Sequence, residues 1–207
     1  MIKQLFQGEH QNFKHDGYYE INPLSSGPVL IKNVRDEIIL VDPGAFSHAD
    51  KLVAALSDEG LNPEDIDFVL NTHHHLDHTS NNYLFKDTAT IFTSSAALRP
   101  TGETTVYHDR ELHEAILPEG VKSLPTPGHT MSHVSFIYEE EGKVFVCAGD
   151  AVREDLIRGE NSHSCRDDDS FAKSMRKIFE IADVILPGHG RVIDGELLGE
   201  LKSEILN

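Results

Sequence analysis

The stretch Phe68-Val69-Leu70-Asn71-Thr72-His73-His74-His75-Leu76-Asp77-His78 decides how this 207-residue chain is read. A short apolar run leads into four histidines and one aspartate within six residues, spaced as His73-x-His75-x-Asp77-His78. The apolar run reads as a buried strand leaving its sheet. Neutral imidazole nitrogens and a carboxylate oxygen are donors that zinc, iron and manganese all accept. A loop leaving a strand end can curl several such side chains around one point. A solvated histidine-rich loop is the bland alternative, and an affinity tag would lie at a terminus without an ordered aspartate.

Three later segments repeat the pattern. His129 lies in Thr126-Pro127-Gly128-His129-Thr130, Asp150 in Ala148-Gly149-Asp150, and His189 in Pro187-Gly188-His189-Gly190. Each follows a strand-like run: Val121 to Leu124, Val144-Phe145-Val146-Cys147, and Val184-Ile185-Leu186. Each also adjoins a glycine, which lets the chain turn sharply and brings its neighbour close to an ion. Strand, glycine and ligand, three times after a dense histidine cluster, describe one site built from loops at a common sheet edge. The five histidines and two aspartates of this set exceed the needs of one tetrahedral ion and suit two. Two such ions, about 3.5–4 Å apart, would share a carboxylate and a water or hydroxide.

The ordered series Asp42 (in Val41-Asp42-Pro43-Gly44), His73-x-His75-x-Asp77-His78, His129, Asp150 and His189 resembles the signature of the metallo-β-lactamase-fold hydrolase superfamily. The resemblance implies a four-layer αβ/βα sandwich with the metals at the sheet edge between its halves. It implies that His73, His75 and His129 hold a first metal, that Asp77, His78 and His189 hold a second, and that Asp150 bridges them. Asp42 would stand behind the ligands and fix their orientation, and His74, at a variable position of the motif, would point away. The activity implied is a binuclear metal-dependent hydrolase that uses a metal-bridging hydroxide on a small ester, thioester or lactone. Asp150 would hold that nucleophile and Asp77 would accept its proton. The cofactors would be two divalent ions, zinc before iron or manganese.

Departures from particular branches narrow the expectation. The β-lactamases of this fold mostly lack the second histidine of the Asp-His pair, and many carry cysteine where this chain has Asp150. Glyoxalase II enzymes add a C-terminal helical domain, whereas only seventeen residues follow Gly190. The diiron electron-transfer branch has glutamate at the position of His75. What remains is the compact single-domain branch, similar to metallo-β-lactamase domain-containing protein 1-like members. A mononuclear iron persulfide-dioxygenase type, held through His73, His129 and Asp150, and a metal-dependent ribonuclease are the alternatives.

Composition sets outer bounds. The formal net charge is −17, which repels phosphate backbones and makes nucleic acid a poor partner. No apolar run approaches the ~20 residues of a membrane span. The start Met1-Ile2-Lys3-Gln4-Leu5-Phe6 lacks the apolar region of a secretory signal, so we expect a cytoplasmic protein. Cys147 reads as a buried small hydrophobe and Cys165 as a free thiol. A small-molecule substrate is expected, and the chain leaves its oligomeric state open, a homodimer included.

The chain reads as one domain over residues 1–207, with pseudo-halves of about 1–118 and 119–207. Residues 1–24 suggest an edge hairpin. Two strands, Val29 to Asn33 and Glu37 to Val41, follow, then a helix over 48–59 and a short helix over 79–85. Ala89 to Thr93 reads as a strand and residues 94–118 as poorly patterned. A hairpin spans Val134 to Cys147, and helices cover 169–181 and 195–206. Specificity is expected from three loops: 44–48 with Phe46 and His48, 94–118 with Tyr107 and His108, and 152–168 with Arg153 and Arg158, either of which could clamp an anion. The remaining histidines, His10, His15, His113, His133 and His163, carry no motif and no site role.

Overall fold

A computed structural model of the protein describes residues 1–159 and 168–206. Strands β1 (Ile2–Gln4), β4 (Val29–Lys32), β5 (Ile38–Val41), β6 (Phe68–Leu70), β7 (Thr90–Phe92), β8 (Ala96–Leu98) and β9 (Thr104–Val106) form a seven-stranded sheet in the order β1-β4-β5-β6-β7-β8-β9. A second sheet runs β10 (Val121–Pro125), β11 (Val134–Glu140), β12 (Lys143–Gly149) and β13 (Val184–Pro187). Strands β2 (Glu9–His15) and β3 (Tyr18–Ser25) pair only with each other. The helices are α1 (Ala49–Asp58), α2 (Leu76–Thr79), α3 (Arg110–Ile116), α4 (Glu154–Ile157), α5 (Asp168–Ile181) and α6 (Gly195–Leu206).

Side-chain alternation along the strands produces the layers. Val29, Ile31, Ile39, Val41 and Leu70 of the large sheet share one buried cluster with Val134, Phe136, Cys147, Val184 and Leu186 of the small one. The intervening Leu30, Leu40 and Val69 face outward onto Leu52 and Leu56 of α1 and onto Phe85. On the other side, Val146, Ala148 and Ile185 pack against Ile178 and Phe179 of α5 and Leu198 and Leu201 of α6. Helix, sheet, sheet, helix is therefore the order through the molecule, the α/β sandwich that the sequence leads one to expect.

Local readings are corrected or sharpened at three places. Residues 94–118 are patterned after all: two three-residue strands and α3, whose Asp109 side chain caps the Glu111 backbone N–H at 2.8 Å. Strands this short show no readable period. The short helix expected over 79–85 is present as a 3-10 helix, Ser80–Phe85, directly after α2. The hairpin expected within residues 1–24 is β2 and β3, and the first residues instead add β1 to the edge of the large sheet. Cys165, His163 and Arg166 lie outside the described residues. Among those described, no helix is long and apolar enough to cross a membrane.

Strand direction positions the site. β5 and β6 are parallel, β12 and β13 are parallel, and β10 runs with β12 because both oppose β11. The segments that follow β5, β6, β10, β12 and β13 carry Asp42, the His73–His78 loop, His129, Asp150 and His189, respectively. Backbone hydrogen bonds stitch these segments together. Asp42 N–H donates to Leu70 O (3.0 Å), Val134 N–H to Thr72 O (2.9 Å) and Gly188 N–H to Gly149 O (2.9 Å).

Candidate metal centre

Seven ligand-type side chains converge at this edge. The Nε2 atoms of His73 and His129 each stand 3.0 Å from Nδ1 of His75, so three imidazole nitrogens surround one point. Asp77, His78 and His189 form a second group, with Asp77 Oδ2 3.1 Å from His189 Nε2 and 3.4 Å from His78 Nε2. Asp150 lies between them. Its Oδ2 is 3.4 Å from His129 Nε2, while its Oδ1 is 3.1 Å from His78 Nε2 and 3.5 Å from His189 Nε2.

Asp42 stands one step behind. Its Oδ1 accepts the Thr72 N–H at 2.8 Å, and its Oδ2 accepts the Thr72 hydroxyl at 2.7 Å and faces His78 Nδ1 at 2.9 Å. The backbone of Asp42 is left-handed (φ 47°), a conformation that aspartate tolerates better than most residues. By holding His78 through Nδ1, it leaves Nε2 aimed at the cluster. His74 is exposed and belongs to none of these groups.

The glycines serve close approach. A Cβ on Gly188 would lie 2.6 Å from His78 Cε1 and 2.7 Å from Asp150 Oδ1. Gly149 has a left-handed backbone (φ 52°), and a Cβ there would meet Thr72 Oγ1 at 2.4 Å. Only glycine lets the β12 and β13 ends reach the histidine loop.

Electrostatics suit cations. Burial holds His73 neutral, with His78 adding to the effect. Burial likewise lowers His75, and it pushes His129 down to about 4. Burial would raise the Asp150 carboxyl, but His189 and His78 pull it well below the usual carboxylate range. For His78 burial works downward and is outweighed by the Asp150 and Asp42 carboxylates, which hold its pKa well above the ordinary value. Neutral His73, His75 and His129 beside the ionised Asp150 carboxylate are in the state that binds metals, whereas an ion at His78 would take the place of its proton. His78 Nε2, Asp150 Oδ1 and His189 Nε2 are moreover buried without a well-directed hydrogen bond in the protein. Buried polar atoms of this kind call for a partner, and the donor chemistry fits a divalent cation.

A cavity of about 590 Å³ opens over the cluster. Its floor is His75, Asp77, His129, Asp150 and His189, and its wall is the β2–β3 hairpin, with Tyr18, Tyr19, Ile21 and Leu24 beside Leu156. This corrects the expected source of specificity in part: residues 44–48 and 94–118 contribute no lining residue among those described, whereas Arg153 and Leu156 of the 152–168 segment do. Tyr107 is a core residue whose hydroxyl donates to Ala96 O (3.0 Å), Phe46 is 70% exposed, and His48 faces Glu9 at 3.0 Å. Neither arginine is a free clamp. Arg153 is bound to Asp155 (3.1 and 2.5 Å), and Arg158 to Glu154 (2.9 Å) and Glu200 (3.4 Å).

Two histidines acquire places that their sequence surroundings do not announce. His133 is buried beneath the site: its Nε2 accepts the Asp150 N–H at 3.2 Å, and its Nδ1 faces the Thr126 hydroxyl at 2.8 Å. Burial pushes it down to about 3. Its position four residues after His129, in the same tight loop, was the available signal. His10 lines the cavity from β2, its ring edge-on to His189 with centroids 5.1 Å apart. Nothing in residues 9–15 signals that role.

An αβ/βα sandwich whose strand ends gather five histidines and two aspartates into adjoining groups able to hold divalent metal is the architecture of the metallo-β-lactamase fold. The family model of the metallo-beta-lactamase superfamily matches residues 23–189, and the chain belongs to that superfamily. It is 34% identical over 156 residues to mouse metallo-beta-lactamase domain-containing protein 1, covering 73% of this chain and 59% of that protein. The chain thus spans under two thirds of that relative's length. An atrochrysone carboxyl ACP thioesterase of Aspergillus fumigatus is 32% identical over 169 residues, covering 76% of this chain and 49% of the thioesterase. A solved metallo-β-lactamase-fold protein from Thermotoga maritima superposes with a TM-score of 0.67 at 25% identity, over 94% of this chain and 98% of that one.

Proposed function

We propose that this protein is a binuclear metal-dependent hydrolase of small esters, thioesters or lactones. The observation that carries the proposal is the placement of Asp150, with one carboxylate oxygen toward His129 and the other toward His78 and His189. His73, His75 and His129 would hold one divalent ion, Asp77, His78 and His189 the other, and Asp150 both, with zinc before iron or manganese. Ions so held would polarise a carbonyl and bring the pKa of a bound water toward neutrality.

The protein's own residues supply the rest. Asp42 fixes the His78 ring, and His133 fixes the Asp150 backbone. Asp77 lines the cavity as a carboxylate and is placed to accept a proton from an attacking water. The hairpin wall, where Tyr18, Tyr19, Ile21 and Leu24 stand beside Asn12, Lys14 and His15, would receive the acyl portion of the substrate. A volume of about 590 Å³ suits a small molecule, within the ~300–1,000 Å³ range of ligand pockets. The thioesterase relative supports an acyl substrate, and the charge of −17 weighs against nucleic acid. A cytoplasmic location is part of the same proposal, checked by fractionation of the source cells.

The test is a panel of esters, thioesters and lactones with the zinc- or manganese-loaded protein. Turnover that is lost on chelation and regained on adding metal is expected. A silent panel together with oxygen consumption by the iron-loaded protein and a thiol persulfide would replace this reading with the dioxygenase alternative. Cleavage of single-stranded RNA alone would replace it with the ribonuclease.

A further inference from the structure

His10 is a polar cavity residue in ring contact with His189 that the proposed chemistry does not yet use. It stands on β2 where the strand's pairing shifts register, between His10 and Asn12, an irregularity able to re-aim a side chain. Arg153 controls it. Arg153 is 6% exposed, and its guanidinium donates from Nε and Nη2 to Asp155 at 3.1 and 2.5 Å. The same Nη2 reaches His10 Nδ1 at 3.1 Å. A guanidinium has donors only and keeps its charge, so His10 Nδ1 must accept. The ring proton is thereby fixed on Nε2, for which no hydrogen-bond partner is found among the described residues. Arg153 follows Asp150 by three residues, so the residue that fixes the tautomer hangs from the loop that carries the shared carboxylate.

We propose that His10, held as its Nε2–H tautomer by Arg153, contacts the substrate directly and donates a hydrogen bond to the acyl oxygen. The inference rests on the hydrolase reading. A neutral donor on the cavity wall adds a contact that strengthens as negative charge builds on that oxygen. Arg153 is a positioning residue, because it acts through His10. Its pairing with Asp155 is what a fixed guanidinium needs, and it explains why a buried arginine at the cavity rim does not itself serve as an anion clamp.

Two measurements on the zinc-loaded full chain test this. The first is turnover of an ester that the wild type cleaves. His10→Phe should lower kcat about ten- to a hundredfold, with KM within about threefold and zinc content unchanged, the scale of one lost oxyanion donor or somewhat less. His10→Gln, which keeps an N–H donor, should recover at least part of the loss. Wild-type kcat in His10→Phe, or loss of zinc from it, would overturn the proposal. The second measurement does not need activity. Two-bond 1H–15N correlation spectra should show His10 as the Nε2–H tautomer, and hexanoate, the carboxylate left by a hexanoyl ester, should shift that proton downfield. A Nδ1–H pattern, or no response to saturating hexanoate, overturns it. A wild type silent on every acyl substrate would sink the hydrolase reading, and the spectra would still decide the role of His10.

Discussion

The ligand loops and the β2–β3 hairpin face each other across one cavity and are built in opposite ways. The loops hang from the ends of five strands in two packed sheets, their side chains are largely buried, and glycines at 149 and 188 allow contacts that any Cβ would obstruct. The hairpin belongs to neither sheet, and its Tyr18 and Tyr19 are 63% and 58% exposed. It is tied down at a few points: the Gly8–Gly190 bridge, Glu9 to His48 and Lys51, and His10 to Arg153. Metal chemistry demands fixed atoms, and over-determined loops provide them. Selection among acyl groups, on the proposed function, would demand only a surface of suitable shape, and a two-stranded flap offers that while leaving room for variation.

That contrast can be broken at either end. Asp150→Ala should have the largest effect, a fall in kcat/KM of more than about a hundredfold, beyond the ~10–100-fold expected from losing an outer partner of a ligand. Full turnover in this variant would remove Asp150 from its place between the two groups. Asp42→Asn comes next. Asparagine also tolerates the left-handed backbone, so the variant removes charge without adding strain. Zinc affinity or activity should drop about 10–100-fold, read by competition with a chelating dye. An unchanged affinity would mean that His78 keeps its aim without the carboxylate.

On the hairpin side, Tyr19→Ala should alter KM for long acyl esters by about three- to tenfold, at or below the ~tenfold that one methylene can bring in a closed pocket. Zinc content should be untouched. If zinc were lost instead, floor and wall would be one unit and the contrast would be false. The smallest effect belongs to His74→Ala. Metal content should stay the same and stability should change by less than about 0.5 kcal/mol, as measured by thermal unfolding. Loss of an ion would mean that the exposed member of the histidine run points inward in solution.

Legibility in the sequence follows the same division. The two sheets and their covering helices could be read because Val29 to Val41, Val134 to Cys147 and Val184 to Leu186 alternate or run apolar long enough to show a period. The seven ligand-type residues could be read because each sits beside a glycine or inside one dense motif, where local spacing encodes the spatial arrangement. The β8 and β9 strands are three residues each and show no period. The cavity wall was invisible for a different reason. His10 reaches the site through Arg153, 143 residues away along the chain, and such pairing leaves no local trace. His133 was an intermediate case, close to His129 in sequence yet defined by an Asp150 backbone contact that only the fold brings about.

The most direct test of the binuclear centre is metal stoichiometry. Metal-free protein, titrated with zinc and followed by native mass spectrometry, should saturate at two ions per chain in the wild type, and both should be weakened together in Asp150→Ala. Saturation at one ion in the wild type, or two normally bound ions in Asp150→Ala, would contradict a centre shared through that carboxylate.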